Sequence, residues 1–109
     1  MNRYFEMLKK NEEFFSKAFE IAKDVKEKAK EILGDCEVYI IGSFARGEHT
    51  LSSDLDILIV SELIPEKPNF EKYCEIVREI SEDPRINIHL LNKSKFEELK
   101  SFYRRRIEI

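Results

Sequence analysis

The order of apolar patterns along the chain constrains its fold more than any other feature. From about Tyr4 to Leu33, apolar residues recur at steps of three, four or seven, a spacing that draws one stripe along a helix: Phe5, Leu8, Phe15, Phe19, Ala22, Val25, Ala29 and Ile32. Gly34 is the predicted helix stop, because glycine readily takes the left-handed conformation that closes a last turn. The stretch fits one long helix or two shorter ones, with Asn11 as the candidate cap of the second.

Three short runs rich in β-branched and apolar residues predict strands at Cys36 to Ile41, Leu55 to Val60 and Ile86 to Leu91. Pro65 and Pro68 mark a loop, helical spacing returns over Phe70 to Ile80, and a last helix is expected near Ser94. This order predicts an α+β fold, a small mixed β-sheet flanked by helices, in a single domain over residues 1–109. Because three strands make a small sheet, we expect a short extra strand or a partner surface to complete the core.

Composition narrows the class of protein. No apolar run approaches the roughly 18 residues that a membrane span needs, and no secretory signal is visible, so a soluble cytoplasmic chain is expected. The net charge of -3 gives no overall attraction to nucleic acid, although a local basic patch is compatible with it. Charged residues make up 38% of the chain, a balance typical of proteins from hot environments. Cys36 and Cys74 lie in apolar surroundings and stand apart from other metal-binding residues, which favours buried free thiols over a disulfide or zinc site.

The residues that suggest chemistry lie in the segment GSFARGEHTLSSDLDILIV, residues 42–60. Side chains alternate between the two faces of a strand, so Asp54 and Asp56 are expected to project from the same side. Two neighbouring carboxylates repel each other unless a cation lies between them, and Mg²⁺ prefers such oxygen ligands together with substrate phosphates. For an isolated acidic pair of this kind, a solvated strand end is the commoner explanation.

Candidate phosphate ligands precede the acidic pair. Gly42 lets the backbone approach a ligand, Ser43 offers a hydroxyl and an amide, and a short helix beginning there would add free amides. Arg46 offers a guanidinium fork, Gly47 permits the chain to reverse, and Ser53 is expected to cap or orient the following loop. Each element alone is common on surfaces that bind nothing. Together they place hydrogen-bond donors for a phosphate group opposite metal ligands, which is the layout that nucleotidyl transfer needs.

These residues resemble the nucleotidyltransferase superfamily that includes DNA polymerase beta, the CCA-adding enzymes and kanamycin nucleotidyltransferase. The pattern is carried by Gly42, Ser43, Gly47, Asp54 and Asp56, and GSFARG with SDLD is similar to the minimal nucleotidyltransferases of archaea and bacteria. The resemblance implies that Asp54 and Asp56 bind Mg²⁺, in a site for two metal ions. It also implies that Gly42 and Ser43 contact a nucleoside triphosphate, with ATP as the expected donor of AMP.

A third carboxylate is usual in this superfamily, and the matching strand RINIHLL offers Asn87 instead. An asparagine can coordinate through its carbonyl oxygen, but it carries no charge and cannot act as a base. The sequence does not place Glu48, Glu62 or Asp83 convincingly as substitutes. His89 shares the predicted face of Asn87, where a hydrogen-bonded structural role is commoner than a role in a site. The pattern therefore supports the first metal more strongly than the second.

Minimal nucleotidyltransferases are often encoded beside a small helical HEPN protein, as a toxin and antitoxin pair, and in some pairs the enzyme transfers AMP to a tyrosine of the partner. The resemblance implies such a role here. The run Phe102 to Arg106 fits a partner or polynucleotide contact, but a solvated helix end is the commoner explanation. An exposed apolar face on the first helix would indicate an oligomer or a complex.

Three functions remain open from the sequence. The first is a metal-dependent nucleotidyltransferase that acts on a hydroxyl of a protein or of a small acceptor. The second is a catalytically weakened module that binds a nucleotide or a partner protein, with Asn87 as the mark of a degenerate site. The third is a regulatory domain that senses a nucleotide through Gly42 and Ser43. Only the first function needs Asp54 and Asp56 for product formation.

Overall fold

The computed structural model describes residues 2–67 and 69–109, so Pro68, predicted to lie in a loop, is outside the described residues. The helices are α1 (Arg3–Ser16), α2 (Ala18–Leu33), α3 (Gly42–Ala45), α4 (Phe70–Ile80) and α5 (Lys93–Leu99), followed by a 3₁₀ turn (Lys100–Tyr103). The strands are β1 (Glu37–Ile41), β2 (Leu55–Ser61), β3 (Ile86–Asn92) and β4 (Ile107–Glu108). The predicted α+β class is confirmed. Within the described ranges, no helix has the length and apolar character needed to cross a membrane.

The four strands form one mixed sheet in the order β3-β2-β1-β4. β1 pairs antiparallel with β2 and β4, whereas β2 pairs parallel with β3. The parallel pair requires a crossover connection, and α4 lies within it. The sequence predicts either a short extra strand or a partner surface to complete the core, and β4 is such a strand. It pairs Ile107 with Ile40 and Glu108 with Tyr39.

The sheet buries apolar side chains on both of its faces. One set, on β1, β2 and β3, packs with buried residues of α1, α2 and α4: Val38, Ile40, Leu55, Ile57, Ile59, Ile88 and Leu90. The alternate set packs around Phe96 of α5: Tyr39, Ile41, Leu58 and Val60. By strand alternation, Asp56, Asn87 and His89 belong to the second face. The second face is covered by α5 and the 3₁₀ turn, which are shorter than α1, α2 and α4 on the first face, and it carries these three polar residues.

The amino-terminal helical stretch is two helices that meet at Lys17. Asn2 caps α1 by accepting a hydrogen bond from the amide of Tyr4, and no side chain caps α2. The prediction that Asn11 caps a second helix is therefore wrong. Asn11 lies inside α1, where its side chain donates to the carbonyl of Leu51 at 2.7 Å and ties the helix to the loop before β2.

The predicted apolar stripe is buried only in part. Phe15, Ala22, Val25 and Ala29 are buried as predicted, but Phe5 and Phe19 are 62% and 49% exposed. The buried residues keep helical spacing across Lys17, from Phe15 through Ala18 to Ala22, so the break does not interrupt them. Phe5 is exposed because α1 buries only Phe14 and Phe15, near its end. Gly34 ends α2 at a φ of 68°, as predicted, with its amide bonded to the carbonyl of Lys30.

The two cysteines are free thiols, as the sequence predicts, but both are half-buried and not buried as expected. Burial raises the pKa of the Cys36 thiol above its ordinary value, and the nearby Lys30 and Lys26 oppose this shift. A raised pKa leaves less thiolate at neutral pH, so Cys36 is a poor nucleophile. Its surroundings favour a structural role.

Arg85 joins three elements beside the start of β2. Its guanidinium forms two hydrogen bonds with the carboxylate of Asp83, at 3.1 and 2.9 Å, and lies 4.2 Å from the ring centroid of Phe14 in α1. Its carbonyl accepts a hydrogen bond from the amide of Leu55 at 2.8 Å. The Asp83–Arg85 pair therefore supports the backbone next to Asp54.

We predict that Asp83→Asn lowers the free energy of unfolding at pH 7 and has a smaller effect in acid. The hydrogen bonds from Arg85 hold the pKa of Asp83 below its ordinary value. A lowered folded-state pKa contributes stability above the unfolded-state pKa, and this contribution is lost as the pH falls through the folded-state value. Urea unfolding at pH 7 and at about pH 3 measures the difference. Asp24→Asn, on the exposed face of α2, is the control, and an equal pH profile for both variants would contradict the prediction.

Candidate active site

The turn after β1 is built from the GSFARG sequence. Gly42 begins α3 directly after Ile41, one residue earlier than the predicted start at Ser43. The turn is closed by hydrogen bonds from the amide of Arg46 to Gly42, of Gly47 to Phe44 and of Glu48 to Ser43. Amides in the first turn of a helix have no acceptor within the helix. The sequence thus places backbone donors at the end of β1.

Gly42 makes room for the carboxylate of Asp56. The β1–β2 register pairs Ile41 with Asp56, so the residue after β1 lies beside the Asp56 side chain. A Cβ atom on Gly42 would overlap Asp56 Oδ2, and the φ of 71° is itself unfavourable for other residues. Gly47 has a similar φ of 69°, but its surroundings are open. Only Gly42 is required by close approach as well as by backbone conformation.

Asp56 is the centre of a small polar cluster on the second face of the sheet. Its side chain is 24% exposed, and Oδ1 accepts a hydrogen bond from Asn87 Nδ2 at 3.0 Å. His89 Nε2 lies 3.3 Å from the same oxygen. The parallel β2–β3 register explains the cluster, because it pairs Asp56 with Asn87 and Leu58 with His89. The predicted position of His89 beside Asn87 is therefore seen in the structure.

Asp54 is placed differently from Asp56. It precedes β2 by one residue and is exposed, whereas Asp56 is the second residue of the strand. The next amide, that of Leu55, is held by the carbonyl of Arg85. Asp54 therefore emerges from a fixed backbone position at the start of the strand, with its carboxylate in solvent.

The other candidate polar residues serve the loop or form separate ion pairs. Ser53 Oγ accepts a hydrogen bond from the amide of Thr50 at 2.9 Å, so it orients the loop before Asp54. Arg46 pairs with Glu48 at 3.1 Å on the surface. Asp83 pairs with Arg85, and Glu62 lies 3.9 Å from Lys93. None of these three acids joins Asp56, so none replaces the third carboxylate.

His49 has a packing role that the sequence does not signal. Its ring centroid lies 4.8 Å from those of both Phe15 and Phe44, so it joins α1 to the turn after β1. Its Nδ1 atom is buried without a hydrogen-bond partner among the described residues. The aromatic contacts hold the Gly42 turn against the main core.

A cleft of about 390 Å³ opens over Asp56, a volume within the range of ligand sites. Its lining consists of Ile41, Gly42, Arg46, Asp56, His89, Phe102, Tyr103, Arg104 and Arg105. The sequence favours a solvated helix end for the run Phe102 to Arg106, and Phe102, Arg104 and Arg105 are exposed as that prediction requires. The structure adds a second feature. The chain leaves the 3₁₀ turn and returns to the sheet as β4, so Phe102 to Arg105 form one wall of the cleft.

The donor set fits a divalent cation that is bound together with a substrate. Among the described residues, no three His, Cys, Asp or Glu side chains group closely enough to hold a metal by themselves. Mg²⁺ commonly uses only one or two carboxylates and completes its shell with water and substrate phosphates. Asp54 and Asp56 would provide that number of carboxylates, although only Asp56 is among the residues that line the cleft. On β3, the residue beside Asp56 is Asn87, whose neutral amide donates a hydrogen bond to the Asp56 carboxylate.

Comparison with known proteins identifies the family of the chain. A family model described as nucleotidyltransferase domain matches residues 20–109. The chain belongs to this family. Solved structures of two nucleotidyltransferase candidates are similar to it, each at 27% identity. The first is from Sulfolobus solfataricus and has a TM-score of 0.67, and the alignment covers 90% of this chain and 84% of that chain. The second has a TM-score of 0.61, and the alignment covers 80% of this chain and 95% of that chain. No curated protein matches the chain.

Family membership confirms the resemblance drawn from residues 42–60. The nucleotidyltransferase match begins within α2, so α1 lies outside it. β1, the Gly42 turn, β2 and the carboxy-terminal wall of the cleft all lie inside it. The elements that build the site are therefore the ones that the family match includes.

We predict that Gly42→Ala destabilises the protein more than Gly47→Ala. Both glycines have a positive φ, 71° and 69°, so each substitution carries a backbone cost of about 1–2 kcal/mol. Only at Gly42 does the new methyl group meet the carboxylate of Asp56, because the space around Gly47 is open. Chemical unfolding of the two variants measures the steric contribution, and an equal loss at both positions would contradict the close approach.

Proposed function

We propose that this nucleotidyltransferase-family chain transfers a nucleoside monophosphate from a nucleoside triphosphate to an acceptor hydroxyl in a Mg²⁺-dependent reaction. ATP is the expected donor and AMP the transferred group. The observation that carries the proposal is the approach of the Asp56 carboxylate to the Gly42 turn, inside a cleft whose other charged walls are cationic. A carboxylate beside hydrogen-bond donors suits a phosphate substrate bound together with a metal ion, because the carboxylate binds the cation and the donors bind the phosphate oxygens.

The residues of the chain would bind and orient the substrate. The amides of the Gly42–Ser43 turn and the Ser43 hydroxyl donate to phosphate oxygens, and Arg46 adds a guanidinium at the same end. Asp54 and Asp56 would hold Mg²⁺, which neutralises phosphate charge and makes the acceptor hydroxyl a better nucleophile. In the transfer, the acceptor oxygen forms a bond to the α-phosphorus and releases its proton to solvent, while the bond to the pyrophosphate leaving group breaks.

The hydrogen bond from Asn87 orients the carboxylate of Asp56. By donating to Oδ1, the amide leaves Oδ2 directed at the Gly42 turn. Because the amide is neutral, this position adds no negative charge to hold a second cation. We therefore propose one strongly bound Mg²⁺, with any second ion depending on the phosphates of the substrate.

We further propose that the acceptor hydroxyl belongs to a partner protein, as in the HEPN-type toxin and antitoxin pairs that the sequence resembles. The exposed apolar residues of α1 support a contact with another protein. Tyr4, Phe5 and Met7 are between 46% and 62% exposed, on a helix that reaches the core only through its last turns. Such clustered exposure on a soluble domain is typical of interaction surfaces.

A second candidate function is a weakened module that binds a nucleotide or a partner without turnover. The specific observation in its favour is the amide of Asn87 in hydrogen-bonding contact with Asp56. A site that keeps the Gly42–Ser43 turn but has a neutral amide in place of a carboxylate at position 87 would retain nucleotide binding more readily than catalysis. Product formation separates the two functions.

We predict that Asp54→Asn and Asp56→Asn each reduce transfer at least about a hundredfold, because each removes metal-binding charge. The assay incubates the protein with labelled ATP and MgCl₂, alone and with the product of the neighbouring gene, and detects labelled protein and released pyrophosphate. Asp24→Asn is the matched control on the exposed surface of α2. Thermal unfolding checks that the variants remain folded. Transfer retained by the double variant would exclude the proposed role of both carboxylates.

We predict that Asn87→Asp makes the thermal stability of the protein more dependent on Mg²⁺. The new carboxylate would face Asp56, so like charges would lower the melting temperature in EDTA and a bound cation would reverse the effect. Asn87→Ala is the control, since it removes the same hydrogen bond without adding charge. A Mg²⁺-induced shift that is equal in the wild type and both variants would argue against metal binding beside Asp56.

A further inference from the structure

The charges that line the cleft differ in sign from the charge of the whole chain. The chain has a net charge of -3, but three arginines, Arg46, Arg104 and Arg105, line the cleft with a single carboxylate, that of Asp56. A concave surface with an excess of one charge concentrates ligands of the opposite charge. The cleft therefore favours a ligand with several negative charges.

Arg104 and Arg105 are held in place from both sides along the chain. On one side, the ring of Tyr103 packs against Phe96 with a centroid distance of 6.4 Å. On the other side, the Arg106 guanidinium lies 5.3 Å from the ring of Tyr39 and 5.2 Å from that of Phe96, and it donates to the carbonyl of Tyr103 at 2.9 Å. The two arginines between these anchors have a fixed backbone beside the cleft.

The three consecutive arginines have different surroundings. Arg106 is half-buried and used in packing, whereas Arg104 and Arg105 are exposed. In the part of the chain that the structure describes, neither exposed arginine forms an ion pair with a carboxylate, while Arg46 is paired with Glu48. Two guanidinium groups at the cleft are therefore available to a ligand.

We propose that Arg104 and Arg105 bind the triphosphate of the nucleotide substrate, in the cleft that they line together with Gly42 and Asp56. The inference rests on the proposed function and assigns part of the substrate to residues outside the 42–60 motif. A guanidinium presents two parallel N–H donors, which match the oxygens of one phosphate. Because the Gly42 turn and the two arginines border the same cleft, both can donate to the β- and γ-phosphates of one ligand.

A small polyphosphate fits the cleft better than a polynucleotide does. The cleft volume of about 390 Å³ suits a small ligand. A polynucleotide site usually has a basic patch or stripe that follows the backbone, whereas here the available cations are two neighbouring residues on a chain that is acidic overall. Contact with RNA is therefore a competing outcome for the experiment to decide.

The test measures equilibrium binding of ATP and of AMP, with MgCl₂, to the intact chain and to the double variant Arg104→Gln/Arg105→Gln. Loss of charged hydrogen bonds to the β- and γ-phosphates should weaken ATP binding at least about tenfold and leave AMP binding within about twofold. The control is Arg3→Gln/Arg78→Gln, which removes two exposed arginines from α1 and α4. This control should bind ATP and AMP like the wild type.

Two further measurements sharpen the assignment. Inorganic tripolyphosphate should compete with ATP in the wild type and compete at least about tenfold less well in the double glutamine variant. Arg104→Lys/Arg105→Lys keeps the charge and removes the planar fork, so its ATP affinity should lie between those of the wild type and the glutamine variant. The lysine variant also tests the proposal if the glutamine variant does not fold, which thermal unfolding would reveal.

The outcomes that overturn the inference are distinct. ATP binding by the glutamine variant at wild-type strength would overturn it and leave the proposed function intact. Equal weakening of ATP and AMP would overturn the assignment to the β- and γ-phosphates. Reduced binding of a single-stranded RNA oligonucleotide with unchanged ATP binding would assign the arginines to a polynucleotide. Absence of ATP binding by the wild type would overturn the proposed function together with this inference.

Discussion

The site depends on the pairing of β2 with both of its neighbours. β2 is buried on both faces, with Leu55, Ile57 and Leu58 inaccessible to solvent, yet it carries the partly exposed carboxylate of Asp56 near its start. Its antiparallel pairing with β1 brings the Gly42 turn to this carboxylate, and its parallel pairing with β3 brings Asn87. A slip of one residue would turn Asp56 toward the face covered by the long helices. Burial of β2 thus fixes the geometry of the polar cluster.

Much of this arrangement is encoded locally and could be predicted. Gly42 directly follows β1, and Asp56 lies in β2, the next strand along the chain, so a glycine turn and an alternating acidic pair suffice to bring them together. The contact between Asp56 and Asn87 spans 31 residues, but alternation along β3 still assigned Asn87 and His89 to one face. The bounds of α4 were equally readable, because its apolar residues keep a helical period from Phe70 to Ile80.

The parts that could not be predicted depend on contacts distant in sequence. β4 has only two residues, too few for alternation to be recognised, and it exists because it pairs with β1. The Arg106 guanidinium contacts the rings of Tyr39 and Phe96, and no local sequence pattern predicts these contacts. The sequence alone therefore favours a solvated helix end for this run of arginines, although the pairing of β4 with β1 places Arg104 and Arg105 at the cleft. The same limit explains Asn11, whose partner is the Leu51 carbonyl, 40 residues away.

Asn87 and the arginine wall have related consequences for charge. A triphosphate brings several negative charges into the cleft, and they must be neutralised by cations or by donors from the protein. With a neutral amide beside Asp56, the protein offers less charge to retain a second metal ion. Arg104 and Arg105 supply positive charge that does not depend on metal, since a guanidinium stays protonated at any physiological pH. In our proposal the chain therefore neutralises part of the triphosphate with fixed arginines, and one Mg²⁺ at Asp54 and Asp56 neutralises the rest.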